Sequence, residues 1–239
     1  MKKLLFSVAM ATMLCAACTK GIEEVATTVD FDTFSATLNG TRTDMGDDNS
    51  VLWNEGDLVS VFNKTTDNLE YEAVDIDGTT ATLKRKSGMR GTKQFDENYA
   101  IYPYDATATL ANGVLSTSIA STQTYDAEND LQYAVMVAKS SNTAFAFQNA
   151  TSLLRCHLNS IIGGTTLTSI KVVSATKEIA GQVEIDMNED TPIAVAVNGV
   201  NEITFDGAGT ELTDDYTIFN IALAANEFPA NDLTIIYTF

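Results

Sequence analysis

Short segments of alternating or β-branched residues, separated by turn pairs that contain glycine, constrain the fold of this chain most. They recur after residue 30, for example in FDTFSATLN, DLVSVFN, NYAIYPY, TAFAFQ and LTIIYTF. The turn pairs are Asn39-Gly40, Asp77-Gly78, Asn112-Gly113, Asn198-Gly199 and Asp206-Gly207. Such pairs suit tight hairpins, whose central residues need positive φ. Because helical periodicity is almost absent, the pattern predicts an all-β fold of antiparallel strands.

The number of predicted strands, about fifteen, exceeds the seven to nine of one β-sandwich. We therefore predict two tandem antiparallel β-sandwich domains. The least strand-like junction lies near Gln148-Asn149. It assigns residues 31–147 to an N-terminal domain and residues 148–239 to a C-terminal domain, complete or incomplete.

The first 18 residues indicate export. Two lysines precede an uncharged apolar run that is too short to span a bilayer as a permanent helix, which is typical of a secretory signal. Small residues directly before Cys18 resemble the end of a bacterial lipoprotein signal. We expect cleavage that removes residues 1–17 and acylation of Cys18, with residues 18–30 as a polar tether; a plain secretory signal is the alternative. Several acyl chains would anchor the protein to a membrane.

The charge of the chain excludes one class of partner. The formal net charge is −18, and it becomes −20 once the signal, with its two lysines, is removed. A surface this acidic repels the phosphate backbone. We therefore expect no nucleic-acid partner.

Residues for catalysis or metal binding are scarce. His157 is the only histidine, and its neighbour Cys156 is the only cysteine besides Cys15 and Cys18. Neighbours in a strand point to opposite faces, which disfavours a Cys–His nucleophile pair. The acidic segments DIDGTT, DMNED and TDD lack the ligand spacing of an EF-hand. We predict a protein that is not an enzyme, with no catalytic residue, no metal site, no cofactor and no disulfide within the chain.

A basic run stands out in this acidic chain. LKRKSGMRGTK contains Lys84, Arg85, Lys86, Arg90 and Lys93. One interpretation is a solvated hairpin loop. The other is a docking patch for the acidic surface of another copy, through electrostatic complementarity.

The single tryptophan, Trp53, lies just before a predicted strand in VLWNEGDLVSVF. A core position and a surface position that stacks on a sugar are the two alternatives.

Several motifs follow one another in an order that resembles a known family. After Cys18 come a first strand ending in TRT, then WNEGDLVSVF, AIYPY, LQYA and FAFQNATSLL. This series is similar to the fimbrillin family of Bacteroidetes, which comprises type V pilus subunits and related fimbrillin-like surface lipoproteins. The resemblance covers nearly the whole chain after the signal.

The resemblance implies two tandem β-sandwiches, a surface-exposed lipid anchor in the cell outer membrane, and assembly into fimbriae with other subunits or copies of itself. A host or bacterial surface glycan or protein is the implied adhesion ligand. In polymerising members an arginine-specific protease cuts after the first strand, and a strand of the next subunit fills the groove that is left. In this sequence the matching bond is Arg42–Thr43.

Alternatives to assembly stay open at this stage. Arg42 could be an ordinary turn residue, in a non-polymerising, monomeric surface lipoprotein that binds glycans. The final alternating run, residues 233–239, could be a donor strand itself, or the subunit could accept a strand without donating one.

Overall fold

The computed structural model describes residues 32–38, 52–63, 66–86, 97–129 and 131–239. The predicted lipid anchor Cys18, the predicted cleavage pair Arg42 and Thr43, and Arg90 and Lys93 lie outside these ranges. Among the described residues there is no helix long and apolar enough to cross a membrane.

The described residues form seventeen strands. In chain order they are β1 (Thr33–Leu38), β2 (Leu58–Asn63), β3 (Thr66–Asp77), β4 (Thr80–Arg85), β5 (Asn98–Tyr102), β6 (Thr109–Ala111), β7 (Val114–Ile119), β8 (Thr122–Thr124), β9 (Met136–Ser140), β10 (Ala144–Asn149), β11 (Ser152–Leu158), β12 (Thr166–Ser174), β13 (Ala180–Asp186), β14 (Val195–Val200), β15 (Glu202–Glu211), β16 (Thr217–Leu223) and β17 (Leu233–Thr238). The all-β prediction is confirmed.

Seven strands close into a barrel in the order β1-β10-β9-β5-β2-β3-β4. Closure depends on β1, which pairs in parallel with β10 and antiparallel with β4. Alternate residues fill the interior, as the period-2 pattern of the sequence predicts. The core of the barrel includes Phe34, Ala36, Leu38, Trp53, Val59, Val61, Tyr71, Ala73, Leu83, Phe145 and Phe147.

The remaining strands form three sheets, ordered β11-β16, β17-β12-β15-β8 and β14-β13-β7-β6. They contribute to a second core that includes Leu115, Leu167, Ile170, Phe205 and Phe219.

Two tandem sandwiches are not confirmed. Seven strands form a closed barrel, and two of the other three sheets combine strands from both sides of residue 148. Strand β7 pairs with β13, and β8 pairs in parallel with β15. The physical reason is burial: Leu115 and Ile119 on β7 are buried in the second core. Barrel residues Phe62 and Ile101 belong to the same core.

The predicted turn pairs divide into two groups. Asn112-Gly113 joins β6 to β7, as predicted, whereas the turn between β3 and β4 is Gly78-Thr79, one residue later than the predicted Asp77-Gly78. Asn112 and Gly113 both have positive φ, 55° and 81°, as a two-residue hairpin turn requires.

The other two pairs that the structure describes are wrong as turns. Asn198-Gly199 lies within β14, and Asp206-Gly207 lies within β15. The second pair lies opposite a register shift between Leu167 and Ser169. A Cβ at Gly207 would lie 2.5 Å from the Leu167 carbonyl oxygen, so the glycine permits a close approach of two strands there.

Candidate functional site

Strand β1 lies between two neighbours and leaves neither of its edges to solvent. Against β4, Phe34 is opposite Leu83 and Ala36 is opposite Ala81; against β10, Ala36 is opposite Phe145. The Ser35 N–H donates to the Thr143 carbonyl at 2.8 Å on one side. The Leu38 N–H donates to the Thr79 carbonyl at 2.8 Å on the other. Removal of β1 would therefore open two strand edges at once.

The inward side chains of β1 fill the barrel. Phe34, Ala36 and Leu38 are 2%, 0% and 4% exposed. The Phe34 ring contacts Phe145 and Tyr71 at centroid distances of 4.8 and 5.4 Å. Burying a side chain of the size of Phe or Leu stabilises a fold by about 1.5–3 kcal/mol. The groove beneath β1 is therefore apolar, with room for large, small and large side chains in alternation.

An ion pair holds the beginning of β1. The Arg85 guanidinium at the end of β4 pairs with the carboxylate of Asp32, the residue before β1. The Arg85 side chain is only 10% exposed and that of Asp32 34%. The Arg85 N–H also donates to the Asp32 carbonyl at 2.8 Å. Strand β1 is thus fastened by charge as well as by apolar packing.

This contact bears on the predicted docking patch. Arg85 binds its own chain, and Lys86 Nζ lies 3.8 Å from the carboxylate of Glu72. Lys84 is exposed on β4. Since Arg90 and Lys93 lie outside the described residues, docking through this run stays a prediction.

Trp53 lies in the barrel core, as the first of the two interpretations predicted. It is 3% exposed, and its ring meets Tyr102 and Phe147 edge-to-face at 5.4 Å each. A surface stack of Trp53 on a sugar is therefore wrong. The glycan-binding alternative loses the residue on which it rested.

Two of the motifs that carried the resemblance meet here. The segment W-N-E-G-D provides Trp53 and Asp57, and Y-P-Y provides Tyr102. The Tyr102 hydroxyl donates to the Asp57 carboxylate at 3.2 Å. Burial raises the pKa of Asp57, while hydrogen bonds from the Asn54 N–H and from Tyr102 act in the opposite direction. Burial and the Asp57 charge raise the pKa of Tyr102 above its ordinary value.

Cys156 and His157 point to opposite faces of β11, as strand alternation predicts. Cys156 is buried and His157 is exposed. Burial raises the pKa of the Cys156 thiol, with a hydrogen bond from the Tyr237 hydroxyl at 3.7 Å acting in the other direction. Within the described ranges no group of His, Cys, Asp and Glu side chains is arranged to hold a metal ion.

One cluster of polar and aromatic side chains was not predicted from the sequence. Tyr104, Asp105, Gln132 and Tyr133 line a cavity of about 370 Å³. Three of them belong to quoted motifs, Tyr104 to AIYPY and the other two to LQYA. The two motifs therefore contain residues of the cavity, but only the folded chain brings these residues together.

Comparisons with known proteins leave the family as a prediction. No family model matches the chain, and no curated protein matches it. Among solved structures, one protein from Bacteroides ovatus, provisionally described as a cell adhesion protein, has 14% sequence identity and a TM-score of 0.48. That similarity covers 86% of this chain and 84% of the other.

Proposed function

We propose that this chain is a structural and adhesive subunit of a surface fimbria that is assembled by strand exchange. In this proposal acylated Cys18 holds the precursor in the outer membrane. An arginine-specific protease cuts the Arg42–Thr43 bond, and a strand from another fimbrial subunit replaces β1. The observation that carries the proposal is that β1, the barrel strand that precedes Arg42 in the chain, closes the barrel between β4 and β10.

The position of Arg42 suits this role. Both Cys18 and β1 precede Arg42 in the chain, and β2 follows it. A single cut therefore separates the anchor and the closing strand from the rest of the barrel. No other covalent bond needs to break, since β1 is otherwise held by hydrogen bonds, apolar packing and the Asp32–Arg85 pair.

The groove left by β1 would favour an incoming strand. Free N–H and C=O groups on two edges supply affinity, and pockets for alternate side chains supply specificity. Since β1 is parallel to β10 and antiparallel to β4, an incoming strand of either direction finds one parallel and one antiparallel neighbour. Repeated head-to-tail insertion does not close on itself, so it produces a filament.

The C-terminal strand β17 occupies a place in its own subunit. It pairs antiparallel with β12, and Leu233 and Ile235 pack against the second core. For β17 to serve as a donor it would have to leave that sheet.

The proposal is tested by treating the full chain with an arginine-specific protease and measuring intact mass and sedimentation. Arg42→Lys is the matched control, because it keeps the charge and removes the protease site. We expect cleavage after Arg42 and large assemblies from the natural chain, and neither from the variant. Because the purified chain supplies only its own strands, a cut chain that stays monomeric would overturn strand exchange between copies of this chain.

A companion measurement uses protein recovered from its native cell surface. A chain that begins at Thr43 supports maturation by cleavage. A chain that begins at acylated Cys18 would identify Arg42 as a turn residue and contradict the proposal.

A further inference from the structure

The cavity near Tyr104 lies where three parts of the fold converge. Tyr104 and Asp105 follow β5, Ser118 belongs to β7, and Gln132 and Tyr133 precede β9. Its volume, about 370 Å³, falls in the range of roughly 300–1,000 Å³ that is typical of small-molecule sites. It is thus large enough for a small ligand.

Asp105 is held in place from several sides. Its Oδ1 accepts hydrogen bonds from the N–H and hydroxyl of Thr107 at 2.8 and 2.6 Å, and its Oδ2 accepts one from the Thr117 hydroxyl at 2.8 Å. The Asn68 amide donates to its carbonyl at 2.6 Å. Its own N–H donates to the Ser60 hydroxyl at 3.2 Å. The carboxylate is therefore preorganised on the cavity wall.

The aromatic side of the cavity is also fixed. Tyr104 and Tyr133 are partly buried, and the Tyr133 hydroxyl accepts a hydrogen bond from the Thr124 N–H at 3.2 Å. The Gln132 amide nitrogen approaches the Thr124 carbonyl at 3.4 Å. Tyrosine presents an apolar ring face and a polar tip, and an amide side chain supplies both donors and acceptors.

The composition of the wall selects the class of ligand. None of the described residues that line the cavity is basic, and Asp105 is acidic, so an anion would meet an unfavourable charge. A purely apolar ligand would take the Asp105 carboxylate further out of water, and the hydrogen bonds from Thr107 and Thr117 leave that group ionised, so covering its charge is costly. A neutral sugar matches both the carboxylate wall and the aromatic wall. Its hydroxyls can donate to the carboxylate, and its C–H faces can pack against the tyrosine rings.

We propose that this cavity binds a neutral saccharide unit, with Asp105 and Gln132 as hydrogen-bonding partners and Tyr104 and Tyr133 as packing surfaces. None of the lining residues belongs to β1. The site is therefore independent of strand exchange, and each proposal can fail without the other.

Isothermal titration calorimetry with the full chain tests this site. The probes are lactose, maltose, cellobiose and N-acetyllactosamine as neutral sugars, and sialyllactose as an acidic one. Tyr104→Ala and Gln132→Ala each remove a wall of the cavity. Tyr216→Ala is the matched control, because Tyr216 is 67% exposed and does not line the cavity.

We expect at least one neutral sugar to bind, about tenfold weaker binding to Tyr104→Ala and to Gln132→Ala, and unchanged binding to Tyr216→Ala. Because Asp105 also stabilises the fold, Tyr104 and Gln132 are substituted in its place. Circular dichroism checks that each variant is folded. Three results would each overturn the proposal: no binding of any neutral sugar, equal binding to all variants, or sialyllactose binding as tightly as lactose.

Discussion

Asp32 and Arg85 form an ion pair that joins the start of β1 to the end of β4. The two residues are 53 positions apart in sequence, yet the backbone N–H of Arg85 also donates to the carbonyl of Asp32. Because this contact must break whenever β1 leaves the barrel, it contributes to the free energy that retains the strand.

Loss of the Asp32 charge should weaken the barrel. We expect Asp32→Asn to lower the free energy of unfolding by about 1 kcal/mol, since the Arg85 side chain is mostly buried and keeps its charge. Urea denaturation followed by Trp53 fluorescence measures the change.

The control for this variant is a solvent-exposed pair. Lys171 and Glu202 lie 2.8 Å apart with side chains 41% and 43% exposed. Glu202→Gln should cost less than about 0.5 kcal/mol. Equal decreases in the free energy of unfolding of the two variants would show that the Asp32–Arg85 pair stabilises the fold no more than an exposed ion pair does.

Truncation of Trp53 should be among the most damaging changes in the barrel. Its burial against Tyr102 and Phe147 predicts a loss of about 3–5 kcal/mol for Trp53→Ala and a smaller loss for Trp53→Phe. Circular dichroism during urea denaturation measures both variants. In the natural chain, acrylamide should quench Trp53 fluorescence weakly, and strong quenching would contradict a core position.

The hydrogen bond from Thr117 to Asp105 should make stability depend on pH. Burial by itself would raise the pKa of Asp105, but hydrogen bonds from Thr107 and Thr117 outweigh it and lower the pKa below the usual 3.8. A carboxyl with a lower pKa in the folded state contributes stability above its unfolded pKa. This contribution is lost as the pH falls through the folded pKa.

Thr117→Val removes one of these hydrogen bonds while nearly keeping the side-chain shape. We expect it to cost about 1 kcal/mol near neutral pH, and the cost to shrink as the solution is acidified below the ordinary pKa of the carboxyl. Urea denaturation across a pH series tests this, with Thr117→Ser as the control that retains the hydroxyl. A cost that does not change with pH would assign it to packing alone.

Local pattern was sufficient for the strands but not for their arrangement. The alternation of Phe34, Ala36 and Leu38 predicted the buried face of β1 correctly. Nothing in a local pattern indicates that Ala36 will lie beside Phe145 in a parallel pair. The same limit applies to β7, whose hairpin turn with β6 does not indicate that it also pairs with β13, and to β8, whose local sequence does not indicate a parallel pair with β15.

Individual residues of the site could be predicted from the sequence, but the contacts between them could not. Trp53 and Tyr102 could be selected from their motifs, whereas the contact between their rings depends on the closed barrel. Tyr104 and Tyr133 lay in quoted motifs without a role, because only the fold brings them to one cavity. Asn198-Gly199 was misread because the same dipeptide suits both a turn and a strand position that needs a small residue.

A disulfide between β1 and β4 would test strand exchange most directly. Ser35 and Thr82 lie opposite each other in the antiparallel pair, neither of them is buried, and the natural Cys156 is. Facing residues in such pairs have Cα atoms roughly 4.5–5.5 Å apart. That spacing is within the roughly 4.4–6.8 Å reach of a disulfide. The double variant Ser35→Cys, Thr82→Cys should therefore lock β1 in the barrel even after Arg42 is cut.

The decisive measurement is analytical ultracentrifugation of this double variant after cleavage, before and after addition of a reductant. If β1 is the exchangeable strand, the oxidised protein stays monomeric and reduction releases it into large assemblies. Assembly of the oxidised, cross-linked protein to the same extent as the reduced protein would contradict strand exchange at β1.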